Sequence, residues 1–246
     1  MHRSQVQIPM PDGTCSASLH TPPSTGSVPA VLLFPDAAGV REVFAVMADR
    51  LAGLGYAVLL PDMYYRNPYA PFDIGSVCDD PAERARLSAL AASLTPAMSV
   101  RDTGAYLDFL TDRPEVAGSR VGTTGYCMGG RLSLGAAGHY PDRVAAAASF
   151  HGGNLAVADD SHSPHLLADR ISAHVLVAAA TEDRAFPAEQ HERLRAAFDS
   201  AGVRHTIETY SAAHGFAVAD NPTYDSDADR RHWTALTDLY AAELHA

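Results

Sequence analysis

The stretch Arg120-Val121-Gly122-Thr123-Thr124-Gly125-Tyr126-Cys127-Met128-Gly129-Gly130 decides the fold. Arg120 to Thr124 reads as a short buried strand, and Gly129 to His139 as a helix of small residues. Between them stands Gly-x-Cys-x-Gly, the spacing of a Gly-x-Ser-x-Gly turn with cysteine in place of serine. A nucleophile on so sharp a strand-to-helix bend leaves no room for side chains two residues away, and Gly125 and Gly129 remove that clash. The bend lifts the Cys127 sulfur above the strand and sets it at a helix N-terminus, where the dipole favours a thiolate. The plainer alternative is a buried cysteine in a glycine-rich turn.

On either side of this stretch, strands and helices alternate. Val6–Ile8 and Ser16–His20 flank Pro11-Asp12-Gly13, which suggests an opening hairpin. Ala30–Phe34, Tyr56–Leu60, Val144–Phe150, His174–Ala180 and His205–Tyr210 read as further strands. Helical spacing covers Val43–Leu54, Ala82–Leu94, Met98–Thr111, Pro187–Ser200 and Ser226–His245. Asp62 to Asp80 reads as a long loop, a candidate lid. The rhythm implies an α/β fold: a mostly parallel twisted sheet with helices on both faces, no large cap domain, and one domain over residues 1–246. Chemistry then belongs at the carboxyl ends of the strands.

Two such ends carry suitable groups. His174–Ala180 runs into Thr181-Glu182-Asp183, and His205–Tyr210 into Ser211-Ala212-Ala213-His214-Gly215-Phe216. His214 is the candidate general base, and Asp183 the carboxylate that fixes its tautomer and stabilises the imidazolium. Glu182 is a rival acid, and a capping role for the helix after Pro187 is the alternative for Asp183. His151 also follows a strand and reads as pocket wall or as a loop histidine without a task.

With these residues placed, the chain resembles the dienelactone hydrolase family of the α/β-hydrolase fold, over Gly13 to Tyr240. The resemblance rests on Gly-Tyr-Cys-Met-Gly-Gly at 125–130, Pro-Asp-Met-Tyr at 61–64, Glu-Asp at 182–183 and Ala-His-Gly-Phe at 213–216. It implies a Cys127-His214-Asp183 triad acting on small esters or lactones. It also implies an acidic residue that contacts the resting thiol and helps form thiolate. Asp36 holds that position, where relatives commonly carry Glu; its alternative task is to satisfy amides of its own loop. Relatives grip a substrate carboxylate with arginines, one of them shortly after the catalytic histidine. Here Gly215, Phe216, Ala217 and Val218 follow instead. Arg84 or Arg86 could supply the other cation, with a solvated helix face as the alternative. Tyr64, Tyr65, Tyr126, Phe150, His151 and Phe216 are the candidate pocket, more apolar than an anionic substrate needs.

The expected chemistry is attack by Cys127 thiolate, an oxyanion held by the backbone amides of Met128 and Ala37, a thioester acyl-enzyme, and release by water activated by His214. No cofactor is required, and no HExxH or similar ligand spacing calls for a metal. The competing readings are a non-catalytic ligand-binding relative and a thiol-redox protein in which Cys15 or Cys78 resolves Cys127.

The partner the resemblance implies is a small-molecule ester or lactone, and composition argues against other classes. The 246 residues carry a formal net charge of -11, which disfavours nucleic acid. Hydrophobic residues make up 47%, enough for a large core. Three scattered cysteines make a disulfide framework improbable and fit a reducing compartment. Met1–Met10 does not read as a signal peptide, and no apolar run approaches a membrane span. The expected location is the cytoplasm.

Overall fold

Ala30-Val31-Leu32-Leu33-Phe34 is apolar at every position and buried at every position. A strand of that kind must be covered on both faces, and the computed structural model shows how; it describes residues 1–23, 26–181 and 183–244. The strands are β1 (His2–Met10), β2 (Gly13–Thr21), β3 (Ala30–Phe34), β4 (Ala57–Pro61), β5 (Val121–Tyr126), β6 (Val144–Phe150), β7 (His174–Ala180) and β8 (His205–Tyr210). They form one eight-stranded sheet in the order β1-β2-β4-β3-β5-β6-β7-β8. β1 and β2 are the expected hairpin, paired from His2↔Thr21 to Met10↔Gly13, and β2 runs antiparallel to β4. From β4 to β8 all neighbours are parallel.

The helices are α1 (Glu42–Gly53), α2 (Ile74–Asp79), α3 (Pro81–Ser93), α4 (Pro96–Thr111), α5 (Met128–His139), α6 (Ala188–Ala201) and α7 (Ser226–Leu244), with a 3₁₀ helix at Pro164–Arg170. Side chains alternate across each strand, so the sheet has two separate cores. Ala30, Leu32 and Phe34 share one with Leu107 and Leu110 of α4, Leu134 of α5 and Phe198 of α6. Val31 and Leu33 share the other with Phe44 and Leu51 of α1 and Leu236 and Tyr240 of α7. Helices therefore lie on both faces, as the alternating sequence predicts.

The chain's winding direction reverses around β3, which lies between β4 and β5. A crevice opens at such a switch point, beyond the carboxyl ends of the strands. The Phe34 and Tyr126 ends of β3 and β5 both deliver their following loops there.

Asp62 to Asp80 departs from the expected irregular loop, because it contains α2. Six residues are too few to show a helical period in the sequence. Asp73, Asp80 and Thr95 cap α2, α3 and α4 through their side chains, each contact contributing about 1 kcal/mol. The segment has its own small core of Tyr64, Phe72, Ile74 and Leu90. Arg86 braces it by stacking on Phe72, 3.7 Å from the ring centre, and by donating to the Ala70 carbonyl. It also pairs with Glu83. Arg86 is thus engaged in holding this segment. Among the described residues, no helix is long and apolar enough to cross a membrane.

Candidate active site

The bend after β5 is as tight as the glycine spacing requires. A Cβ on Gly125 would sit 1.9 Å from the Gly129 carbonyl oxygen, and one on Gly129 would sit 2.3 Å from the carbonyl oxygens of Phe34 and Pro35. Backbone cannot yield as a flexible side chain does. Gly129→Ala is expected to destabilise the fold by about 1–3 kcal/mol, read as a lower urea midpoint at unchanged m. An unchanged midpoint would show that the bend has slack.

Cys127 takes φ 54° and ψ -116°, outside the regions a side chain prefers. Such a conformation costs about 1–3 kcal/mol and persists only where neighbours enforce it. Here the Cys127 amide donates to the Phe150 carbonyl, and its own carbonyl accepts from Gly130 and Gly153. Cys127 ends half-buried at the N-terminus of α5. The first amides of a helix have no intrahelical carbonyl, so the Met128 N–H is free to face the crevice. Ala37, in the loop after β3, is also half-buried, and its carbonyl accepts a 2.9 Å hydrogen bond from the Tyr64 hydroxyl. That bond fixes the orientation of the peptide on the carbonyl side of Ala37.

His214 follows β8 and Asp183 follows β7, and the structure brings them together. His214 Nδ1 lies 2.6 Å from Asp183 Oδ2, with the carboxylate only 3% exposed and the imidazole 32% exposed. The other Asp183 oxygen accepts from the Ala185 amide. The His214 carbonyl accepts from the Thr223 hydroxyl, which fixes the histidine from behind. Burial alone would push the imidazole down. Hydrogen bonds to Asp183 and to Cys127 outweigh burial and raise it to about 10. The three side chains are thus connected in the order carboxylate, imidazole, sulfur. The rival acid, Glu182, lies outside the described residues.

Asp36 is engaged differently from what the resemblance implies. Both of its oxygens are held by Arg41, at 2.7 and 2.9 Å, and one also accepts from the Ala38 amide. Arg41 continues to Asp220. With its charge countered by a buried guanidinium, the carboxylate is engaged within its own loop, in line with the alternative the sequence left open. The Tyr64 hydroxyl is buried close by, and burial pushes it far above its ordinary range.

The aromatic pocket needs correction. Tyr126, Phe150 and Phe216 are fully buried in the core beneath α1 and α7. Tyr126 stacks on Phe150 at 5.6 Å and donates to, or accepts from, His232 Nε2 at 2.9 Å. Tyr65 points to Asp102, with Arg66 over its ring, and so belongs to the contact between its loop and α4. Continuous burial on both faces hides which way a strand residue points, so the sequence could not separate wall from core. His151 does reach the site. It is 1% exposed, its ring meets that of His214 edge to face at 5.1 Å, and neither ring nitrogen has a partner among the described residues. Burial, followed by the charges of His214 and His232, pushes it well down, so it stays neutral.

Two features were not read from the sequence. His232 bonds Tyr126 through one nitrogen and Asp229 through the other, bracing the residue before Cys127 from α7. The i,i+3 spacing of Asp229 and His232 was its only signal. The second is a groove between α4 and α5 that begins at Met128. Cys15, in contrast, is sealed in the core beside Tyr106, and burial pushes its thiol up to about 11, which disqualifies it as a resolving partner. No group of three or more metal-ligating side chains occurs among the described residues.

The chain matches a known family model, that of the dienelactone hydrolase family, over residues 15–244. The chain belongs to that family. It is accordingly an ester or lactone hydrolase by membership. A provisionally named carboxymethylenebutenolidase of Methylorubrum extorquens is 28% identical over 241 residues, 96% of this chain and 79% of that protein. A dienelactone hydrolase-like promiscuous phosphotriesterase from metagenomic libraries is 28% identical, with a TM-score of 0.79 over 98% of each chain. A provisionally named dienelactone hydrolase of Klebsiella pneumoniae superimposes with a TM-score of 0.84 over 98% of each chain at 23% identity, which speaks for the fold.

Proposed function

We propose that this dienelactone hydrolase relative works as one domain and cleaves small uncharged esters or lactones through Cys127, His214 and Asp183. The observation that carries the proposal is the connected row of Asp183, His214 and Cys127, with His214 raised to about 10 by its two partners. An imidazole in hydrogen-bond reach of a thiol can take its proton, and the carboxylate behind the ring stabilises the imidazolium that results.

The thiolate attacks the carbonyl carbon, and the C=O electron pair moves to oxygen. That oxyanion lies between the amides of Met128 and Ala37, each worth roughly 3 kcal/mol of transition-state stabilisation if the distances close to hydrogen-bond length. His214 passes its proton to the departing alkoxide as the intermediate collapses to a thioester. The now neutral imidazole removes a proton from water, which attacks the thioester and returns free thiolate. Asp183 keeps Nδ1 as the donor side of the ring throughout. Asp36 and Arg41 hold the Ala37 loop in place for the oxyanion.

The preference for uncharged substrates rests on where the arginines stand. Arg41 is paired with Asp36 and Asp220, and Arg86 with Glu83. The test is hydrolysis of p-nitrophenyl acetate and of matched lactones with and without a carboxylate, before and after iodoacetamide. Turnover that iodoacetamide abolishes, at least about 10-fold better for the uncharged lactone, is expected. Turnover unaffected by alkylation would defeat the proposal, and a carboxylate preference would defeat its substrate half.

A further inference from the structure

The groove between α4 and α5 is a cavity of about 520 Å³, well within the range of ligand sites. One wall is a stripe along α5, formed by Met128, Leu132 and Gly135, residues at helical spacing that are all half-buried. The opposite wall includes Leu94 and Val100, and Leu167 of the 3₁₀ helix closes the side. The stripe starts at the residue after Cys127 and leads away from it along the helix. Met128, whose amide is assigned to the oxyanion, is the one residue of that site, among the described residues, that also lines the groove, so site and groove adjoin there.

Gly135 sets the depth. A Cβ built there meets nothing within 4 Å, whereas one at Gly138 would sit 2.4 Å from Leu167. Gly138 is needed so that α5 and the 3₁₀ helix can touch; Gly135 leaves space that no neighbour fills. From Met128 to Gly135 is seven residues of helix, roughly 10 Å at 1.5 Å per residue. The lining also carries polar groups, Arg101 and Thr103 on α4, Arg131 and His139 on α5, and His162. Arg131 pairs with Asp160 and donates to the His162 carbonyl, so its charge is countered within the wall.

We propose that this groove is the acyl-chain subsite, and that the enzyme takes esters of medium-chain, unbranched carboxylic acids with the chain laid along α5 past Gly135. The proposal rests on Cys127 being the nucleophile, since Met128, the next residue, lines the groove. Each methylene moved from water into an apolar wall is worth up to about a factor of four. Partial cover by an open groove still gives octanoyl esters at least about a 10-fold advantage over acetyl.

The experiment compares p-nitrophenyl octanoate with p-nitrophenyl acetate for the wild type, Gly135→Ala and Gly135→Phe, and titrates octanoic acid into each by calorimetry. Gly135→Phe places a ring in the empty space, on a helix that a side chain suits better than glycine, so folding is retained. Expected are a kcat/KM at least about 10-fold higher for octanoate in the wild type, and loss of that advantage in Gly135→Phe with the acetate rate held within about twofold. Gly135→Ala keeps the preference, and octanoic acid binding is lost only in Gly135→Phe. If chain preference and octanoic acid binding are the same in all three proteins, the proposal is overturned. A dimer that Gly135→Phe dissociates, with chain preference unmoved, would give the groove to a second copy and overturn it equally. Should acetate hydrolysis prove independent of Cys127, the nucleophile is wrong, and the calorimetry still decides whether the groove holds the chain.

Discussion

Cys127→Ala is expected to lower kcat/KM for p-nitrophenyl acetate by at least about 10³-fold while leaving the fold intact. Loss of a covalent nucleophile removes the whole two-step route, and the residual rate then comes from the oxyanion amides and binding alone. The alanine keeps the backbone that the bend enforces, because the contacts holding Cys127 in its positive-φ conformation are made by main-chain atoms. Circular dichroism and the urea midpoint should show little change. A variant with more than about a tenth of the wild-type rate would mean that the sulfur is not the attacking atom.

Asp183→Asn should cost about 10²–10⁴-fold in the same assay, through His214 rather than through any contact with substrate. The amide can turn its NH₂ toward Nδ1, which reverses the tautomer and leaves Nε2 as the donor. It also removes a negative charge 2.6 Å from the ring. Burial, which already works against the imidazolium, then meets less opposition, so the His214 titration falls from about 10 toward its ordinary range. The folded-state value lies above the unfolded 6.5, so the stabilisation from this pairing is complete below about pH 6.5 and fades as pH rises through about 10. In Asp183→Asn that fading should begin at lower pH. Proton NMR of His214 across pH measures the shift; an unchanged titration with normal activity would assign Asp183 to capping alone.

The elbow was legible in the sequence because sterics dictates it: only glycine fits at 125 and 129 once backbone passes within 2.3 Å. The strand end carrying Asp183 was legible because the apolar run Val175–Ala180 leaves little freedom in where β7 stops, whereas β8, which precedes His214, was read from the β-branched and aromatic run His205–Tyr210. Side-chain direction was less so. Tyr126 and Phe150 end strands that are buried on both faces, and nothing in their apolar neighbours says that they point toward α1 and α7. The Asp36–Arg41 pair joins residues five apart in a loop, a spacing with no periodic signature. The groove beside Met128 arises from how far α4 stands from α5, a distance that no local pattern encodes.

The most direct measurement is acyl-enzyme trapping. Wild-type protein and His214→Gln are mixed with p-nitrophenyl acetate, quenched in acid within seconds, digested and analysed by mass spectrometry. The expected result is a hydroxylamine-labile acetyl group on Cys127, present in the wild type during turnover. Any label formed in His214→Gln should persist, because water there has no base. Steady hydrolysis by the wild type with Cys127 never acetylated, or with the label on another residue, would contradict the role given to this sulfur.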